Sequence, residues 1–517
     1  MINYNIKHVD KMTIDELIGQ VIMVGLSGHS LDSESKKLIE KYKIGNYILF
    51  ARNYSDTIQM KSFMKDLYEH TSNITGSFPL VSIDQEGGMV VRLFKDVTFP
   101  ASPLTTSATS IIDASFITGK IIGSDMLKMC INLNLAPCLE INENLANPLV
   151  NVRGYGKTKE NVLEHAGKFI KGLQESGVLS CIKHFPGAGS STKDSHLELP
   201  IINEPKEDLL NYNMFPFSKL IYSDCLMTSH CIYTSFDKYP STLSYELLTN
   251  TLRNEMNFNG LIISDGMEMK AISDHYGIGN GCVMALNAGC DILLLCHEVS
   301  EQITAFETVK KAVDNGVISV ELLKEKVKRI NAAKEKIKNG LLNNFNDLEY
   351  TIVNEEHEIM QEIVDNSYTL ILGKEPKLKE NTLIISCNAK VASIVEDEFD
   401  ERNLTNALIH NFPNSKVLKF IYDENFLNYV LDIYKNYDNI IIYSYDAYNN
   451  DIQKKLINIL LEKDIETYIV SIKGPIDMQY FNNLKNYSCL YEYTPNSIRT
   501  IIKQLKKEIT LNGKLPK

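Results

Sequence analysis

No run of about 18 uncharged apolar residues occurs in this chain, which excludes a membrane-spanning helix. The first residues, Met1 to Met12, mix Asn, Lys, His and Asp; they lack the apolar centre of a signal peptide and the composition of a transit peptide, so a cytoplasmic location is expected. No lysine and arginine block stands out against a formal charge of −12, from 65 acidic and 53 basic residues. A phosphate-tracking stripe is therefore missing, and nucleic acid is not expected as a partner. The ten cysteines form no CxxC pair, and several sit inside apolar runs such as Leu293 to Cys296 and Leu383 to Cys387. They read as reduced core residues, with no disulfide framework and no metal site. GxxxxGKS is absent and the Gly87-Gly88 pair is not part of GxGxxG, so phosphate-loop readings fail and no cofactor is implied.

What is present is ordinary globular composition, 44% hydrophobic and 23% charged, over 517 residues, too many for one small core. Eight short apolar runs punctuate the first 300 or so residues: Gln20 to Gly25, Asn46 to Ala51, Pro79 to Ile83, Leu133 to Ile141, Leu179 to His184, Cys225 to Tyr233, Gly260 to Ser264 and Asp291 to Cys296. Each is followed by a turn signal and a helix-period stretch. Asn161 to Ser176, with Val162, Ala166, Phe169 and Leu173 on one face, and Ser319 to Ile337, with Leu323, Val327, Ile330 and Ala333, are two such helices. The rhythm predicts an α/β chain that opens with a (β/α)8 TIM-like barrel. Residues 339–349, rich in Asn and Gly, read as a linker between a barrel over 1–338 and a second domain over 350–517. Strands at Tyr368 to Leu372, Asn381 to Cys387, Lys416 to Tyr422, Asn439 to Tyr443 and Glu466 to Ile472 alternate with helices such as Asn425 to Tyr437 and Ile452 to Lys463, which predicts a smaller α/β sandwich.

Polar residues stand at the carboxyl ends of five barrel runs: Asp84, Glu140, Lys183 with His184, His230 and Asp265. Any one of them alone reads equally well as a solvated strand end, but five at one level of a barrel point to a shared site, because barrel enzymes place their chemistry there. The stretch Lys183 to Pro200, KHFPGAGSSTKDSHLELP, leaves a buried strand, turns at Pro186 and two glycines, and runs to Asp194-Ser195-His196. In extended chain residues i and i+2 face one way, so Asp194 can orient the imidazole of His196 for proton transfer. The plainer alternative is a solvated DSH triplet. Asp265, closing an apolar strand before Gly266, suits nucleophilic attack on an anomeric carbon, with a helix N-cap or magnesium ligand as the alternatives. In VSIDQEGGMVVRL, Asp84 and Arg92 flank a Gly87-Gly88 turn that is expected close to a sugar ring.

DQEGG, ANPLVNVRGYG, KHFPG followed by DSHLELP, MTSH, PSTLS and SDGMEM occur in that order, and together they resemble the bacterial family 3 β-N-acetylglucosaminidases over roughly Met12 to Ala333. The resemblance implies that Asp265 forms a covalent glycosyl-enzyme, that His196 is the acid/base and Asp194 its orienting partner, and that Asp84, Arg92, Arg153, Lys183 and His184 hold the sugar. It implies a small carbohydrate substrate, with terminal β-linked N-acetylglucosamine released from muropeptide fragments. The chain departs from the pattern at Met89, Ala188, Ser190 and Glu140, which we read as changes in loop anchoring or aglycone preference. Two other functions stay open at this point. A phosphorylase could use the same dyad, since neutral imidazole does not repel an anion, and a sugar-binding protein without catalysis could keep the fold.

Overall fold

The computed structural model describes residues 5–142, 150–188, 198–344, 354–387 and 403–517. Eight parallel strands close into a barrel: β1 (Ile22–Gly25), β2 (Asn46–Leu49), β3 (Leu80–Ile83), β4 (Leu133–Asn134), β5 (Leu179–Phe185), β6 (Cys225–Thr228), β7 (Leu261–Gly266) and β8 (Ile292–Leu295). Neighbours follow chain order, and β8 pairs with β1 in the register Ile22 with Leu293. Each strand lies inside or nearly inside one of the eight predicted runs. The runs are continuously apolar because helices cover the outer face while side-chain layers fill the inside, so both faces are dry.

Two strands are much shorter than their runs. β4 has two ladder residues within Leu133 to Ile141. The chain stays close to β5 beyond it: Lys183 N donates to Pro137 O at 3.1 Å, Leu139 N donates to Lys183 O at 2.6 Å, and Cys138 bridges to Lys183. β6 stops at Thr228, after which Ile232–Tyr233 pairs instead with Ile201–Ile202 in a small ladder beside the barrel mouth.

The predicted helices are also present. Lys159–Glu175 is capped by Thr158, whose hydroxyl accepts from Asn161 N, and it buries Val162, Ala166, Phe169 and Leu173. The helix Val320–Asn344 continues through residues 339–344 of the segment expected as linker, and residues 345–349 lie outside the described residues.

The second domain is a six-stranded sheet of β9 (Thr369–Leu372), β10 (Thr382–Ser386), β11 (Lys416–Lys419), β12 (Asn439–Ser444), β13 (Glu466–Ser471) and β14 (Tyr487–Cys489), in the order β9-β14-β13-β12-β10-β11. Only the β9–β14 pair is antiparallel among these neighbours. Five strands match the predicted segments; β14, three residues long, escaped the apolar pattern.

The two domains share a core. Met89 and Val152, with Leu104 and Ala108 from the short helix Pro103–Ala108, are buried in the cluster formed by the second sheet. Glu492 is fully buried at this junction and accepts hydrogen bonds from Ser102 N (2.7 Å), Thr105 Oγ1 (2.6 Å) and Thr494 Oγ1 (2.6 Å). Burial pushes its carboxyl up. Farther along, Lys514 N donates to Ala108 O and Lys157 N donates to Lys517 O. Among the described residues no helix is long and apolar enough to cross a membrane.

Candidate active site

The loop after β3 starts the site. Gln85 pins its two ends together: its Oε1 accepts from Arg92 N (2.8 Å) and Leu93 N (3.1 Å), and its Nε2 donates to Leu93 O (3.0 Å). Asn134 on β4 holds the Gln85 backbone from the other side, donating to Gln85 O at 2.9 Å and accepting from Gln85 N at 3.1 Å. Asp84 and Arg92 are thereby brought face to face, with Arg92 Nη2 3.9 Å from Asp84 Oδ2. The Gly87-Gly88 turn packs against the chain behind it. A Cβ on Gly87 (φ +102°) would fall 2.2 Å from Ala101 O, and one on Gly88 (φ +60°) 2.3 Å from Ser102 Cβ. Glycine is required here for backbone packing.

From β5, Lys183 reaches the same loop. Its Nζ lies 2.7 Å from Asp84 Oδ1 and 2.6 Å from Glu86 Oε1. Arg153 closes on Glu86 from the opposite side, with Nε to Oε2 and Nη2 to Oε1 both at 2.8 Å, a bidentate pair. The result is an alternating row, Arg92, Asp84, Lys183, Glu86, Arg153, most of it buried. Burial alone would push the Glu86 carboxyl up, but Arg153 and Lys183 overturn this and hold it well below the usual range. Burial likewise disfavours the Lys183 ammonium, and Asp84 and Glu86 more than restore it. Glu86 was missed in the sequence reading. Its position two residues beyond Asp84 in an extended stretch, on the same side, was the available signal.

His184 and Glu140 form a second pair. Glu140 Oε1 accepts from both His184 N and Nδ1, each at 2.8 Å, which in the neutral ring places the proton on Nδ1 and the lone pair on Nε2. Glu140, one of the departures from the family pattern, is thus the residue that orients His184. His230, at the end of β6, has Nδ1 2.7 Å from Thr242 Oγ1 and Nε2 2.9 Å from Gly266 O, so both ring nitrogens brace the chain beside Asp265.

Asp265, half-buried at the end of β7, accepts from Gly266 N through Oδ1 at 2.8 Å. The carboxylates of Asp84 and Asp265 both help raise the thiol of Cys296, just beyond β8, after burial and Glu268, so the two acids act on the same end of the barrel. The structure therefore gathers Asp84, Arg92, Arg153, Lys183 and His184 into contact with one another or with the acids Glu86 and Glu140, and sets Asp265 on the same rim. Asp194, His196 and Ser190 lie outside the described residues. Ala188 is partly buried against the barrel core. Met89, another departure, is 2% exposed and belongs to the second domain's core, so it anchors its loop rather than facing a ligand.

A site of this kind, a strand-end carboxylate beside a row of fixed charges, fits the polyhydroxylated face of a sugar. A β-hexosaminidase from Actinobacillus pleuropneumoniae serotype 5b (strain L20) is 32% identical over 298 residues, 56% of this chain and 85% of its own length. β-Hexosaminidase A of Pseudoalteromonas piscicida is 30% identical over 334 residues, 60% of this chain and 56% of its own. Among solved structures, a glycoside hydrolase family 3 β-N-acetylglucosaminidase from Paenibacillus sp. str. FPU-7 superimposes with a TM-score of 0.90 at 29% identity, covering 98% of both chains. Residues 13–333 match the glycosyl hydrolase family 3 N-terminal domain, and the chain belongs to that family of glycoside hydrolases.

Proposed function

We propose that this chain is a retaining, exo-acting β-N-acetylglucosaminidase that removes terminal β-linked N-acetylglucosamine through a glycosyl-Asp265 intermediate. The observation that carries the reading is the pairing of a rigid acceptor row with a strand-end carboxylate. Lys183 Nζ serves two carboxylates, which leaves a third N–H for a sugar hydroxyl, and Asp84, Arg92, Arg153 and His184 offer further groups on the same rim. Asp265 attacks the anomeric carbon and displaces the aglycone oxygen, which takes a proton from His196. Water, deprotonated by the same imidazole, then releases the sugar with its configuration restored. Asp194 orients His196 in this scheme. The names of the two β-hexosaminidases and of the Paenibacillus neighbour support the choice of hexosamine. Muropeptide fragments in the cytoplasm are the proposed source.

The test compares 4-nitrophenyl β-N-acetylglucosaminide with the corresponding β-glucoside, and follows the first sugar released by proton NMR. Faster turnover of the acetylated substrate, release of the β-anomer, and loss of turnover in Asp265→Asn are expected. Release of the α-anomer would make Asp265 a general base, and a preference for the glucoside would overturn the substrate assignment. A product that becomes the sugar 1-phosphate when phosphate is added would identify a phosphorylase.

A further inference from the structure

Ten cysteines are buried, yet one differs from the rest in its surroundings. Cys138 lies on the extended chain after β4, two residues before Glu140, and therefore on the same side of it. Its Sγ is 3.7 Å from Glu86 Oε2. The bridge from Cys138 to Lys183 brings the following residue, His184, alongside. As a result one ligand atom each from Cys138, Glu140 and His184 all lie within 4.8 Å of one another.

From this geometry we infer that Cys138, Glu140 and His184 form a capture site for a thiophilic divalent ion such as Cd²⁺ or Zn²⁺, and that an ion held there inhibits the enzyme. One sulfur, one imidazole nitrogen and one carboxylate oxygen are the donor set of a three-ligand tetrahedral site with one position left for water. Bond lengths of about 2.0–2.3 Å require donors roughly 3.5 Å apart, so donors that lie within 4.8 Å of one another must close by at most about 1.3 Å. On binding, the thiol loses its proton to solvent as the sulfur–metal bond forms. The His184 ring proton moves to Nε2, and a metal–oxygen bond replaces the hydrogen bond from Nδ1 to Glu140. Burial holds the Cys138 thiol well up, with Arg153 and Lys183 acting against this and Glu86 and Glu140 with it, so its proton yields only to a strong metal–thiolate bond. Selection therefore falls on ions whose bond to thiolate is strong, and Mg²⁺ or Ca²⁺ is refused. Inhibition follows because a metal on Nδ1 puts the ring proton on Nε2, where His184 otherwise presents a lone pair to the rim; this part rests on the sugar site proposed above, whereas binding does not.

The experiment titrates Cd²⁺ into the full chain at neutral pH. Calorimetry and the ultraviolet thiolate-to-cadmium charge-transfer band report binding, and hydrolysis of the chromogenic hexosaminide reports inhibition. One ion bound with a charge-transfer band, inhibition relieved by a chelator, and no response to Mg²⁺ are expected. Cys138→Val should abolish the band and weaken binding by about tenfold or more, and Cys138→Ala should repeat the result with a smaller side chain. A band that survives both variants places the ion on another cysteine and overturns the site. Binding without inhibition overturns the coupling to His184 even if the glycosidase reading stands. Absence of hexosaminidase turnover alongside a Cys138-dependent band would count against the proposed function alone.

Discussion

Replacing Glu86 by Gln alters no volume, but it removes the negative charge shared by Lys183 and Arg153. Losing one partner of a buried ion pair costs about 3–5 kcal/mol, and here two cations are left short. Glu86 touches no substrate in the proposed scheme, so it is a positioning residue. Glu86→Gln should lower kcat/KM by roughly two orders of magnitude, mostly through KM, with Glu86→Asp recovering part of the loss. Because its carboxyl is held below the ordinary value of 4.5, the stability it contributes is present above that pH and is lost as pH falls toward the folded value. The stability gap between wild type and Glu86→Gln should therefore be full at pH 7 and shrink below about pH 4, as read by urea denaturation. A gap independent of pH would show that the charge is not what matters. Asp84, Lys183 and His184 were legible in the sequence because each is a polar residue closing an apolar run. Glu86 was not, since it closes no apolar run and its partners Lys183 and Arg153 are distant in the chain.

At the scale of elements, the helix Val320–Asn344 illustrates both the reach and the limit of periodicity. Leu323, Val327 and Ile330 are buried as their spacing requires, but the stripe then continues through Lys334, Ile337 and Leu341, all nearly inaccessible, while Ala333 is only partly covered. A lysine in a dry stripe cannot be recognised from polarity. Its Nζ donates to Gln20 Oε1 at 2.8 Å, and burial pulls its pKa from 10.5 down to about 7. The unfolded chain therefore holds this proton more tightly, and stability rises with pH between about 7 and 10.5, by at most about 5 kcal/mol. Lys334→Met should be more stable than wild type at pH 7 and below, less about 1–3 kcal/mol for the orphaned amide oxygen. The advantage should fade toward pH 10. Denaturant midpoints of both proteins across that range decide it, and an advantage that stays constant would mean the lysine is not desolvated. The same limit applies to β4, whose ladder ends inside an apolar run, and to β14, too short to show any period.

For the whole molecule, two domains were legible from the change of rhythm, but their shared core was not, because Met89, Leu104 and Val152 look like ordinary loop residues until the second sheet is placed over them. The junction predicts a single cooperative unfolding event. Glu492→Ala leaves Ser102 N and Thr105 Oγ1 without their buried acceptor, at about 1–3 kcal/mol for each donor. Calorimetry should then resolve two transitions in place of one. Activity should fall as well, since Ser102 backs the Gly87-Gly88 turn of the loop that carries Asp84 and Arg92. One transition at an unchanged midpoint would mean that the apolar contacts alone join the domains.

That shared core also sets an order of events during translation. The eight barrel strands leave the ribosome first and can close on their own contacts, since domains fold in turn as they emerge. The loops bearing Glu86, Arg92 and Arg153 are flanked by Met89 and Val152, whose packing partners on β9 to β14 are made last. A nascent chain thus carries a closed barrel with a loose rim until the second sheet assembles. The late domain works as a timer, and a truncated product would carry Asp265 without a seated Glu86–Arg153 pair.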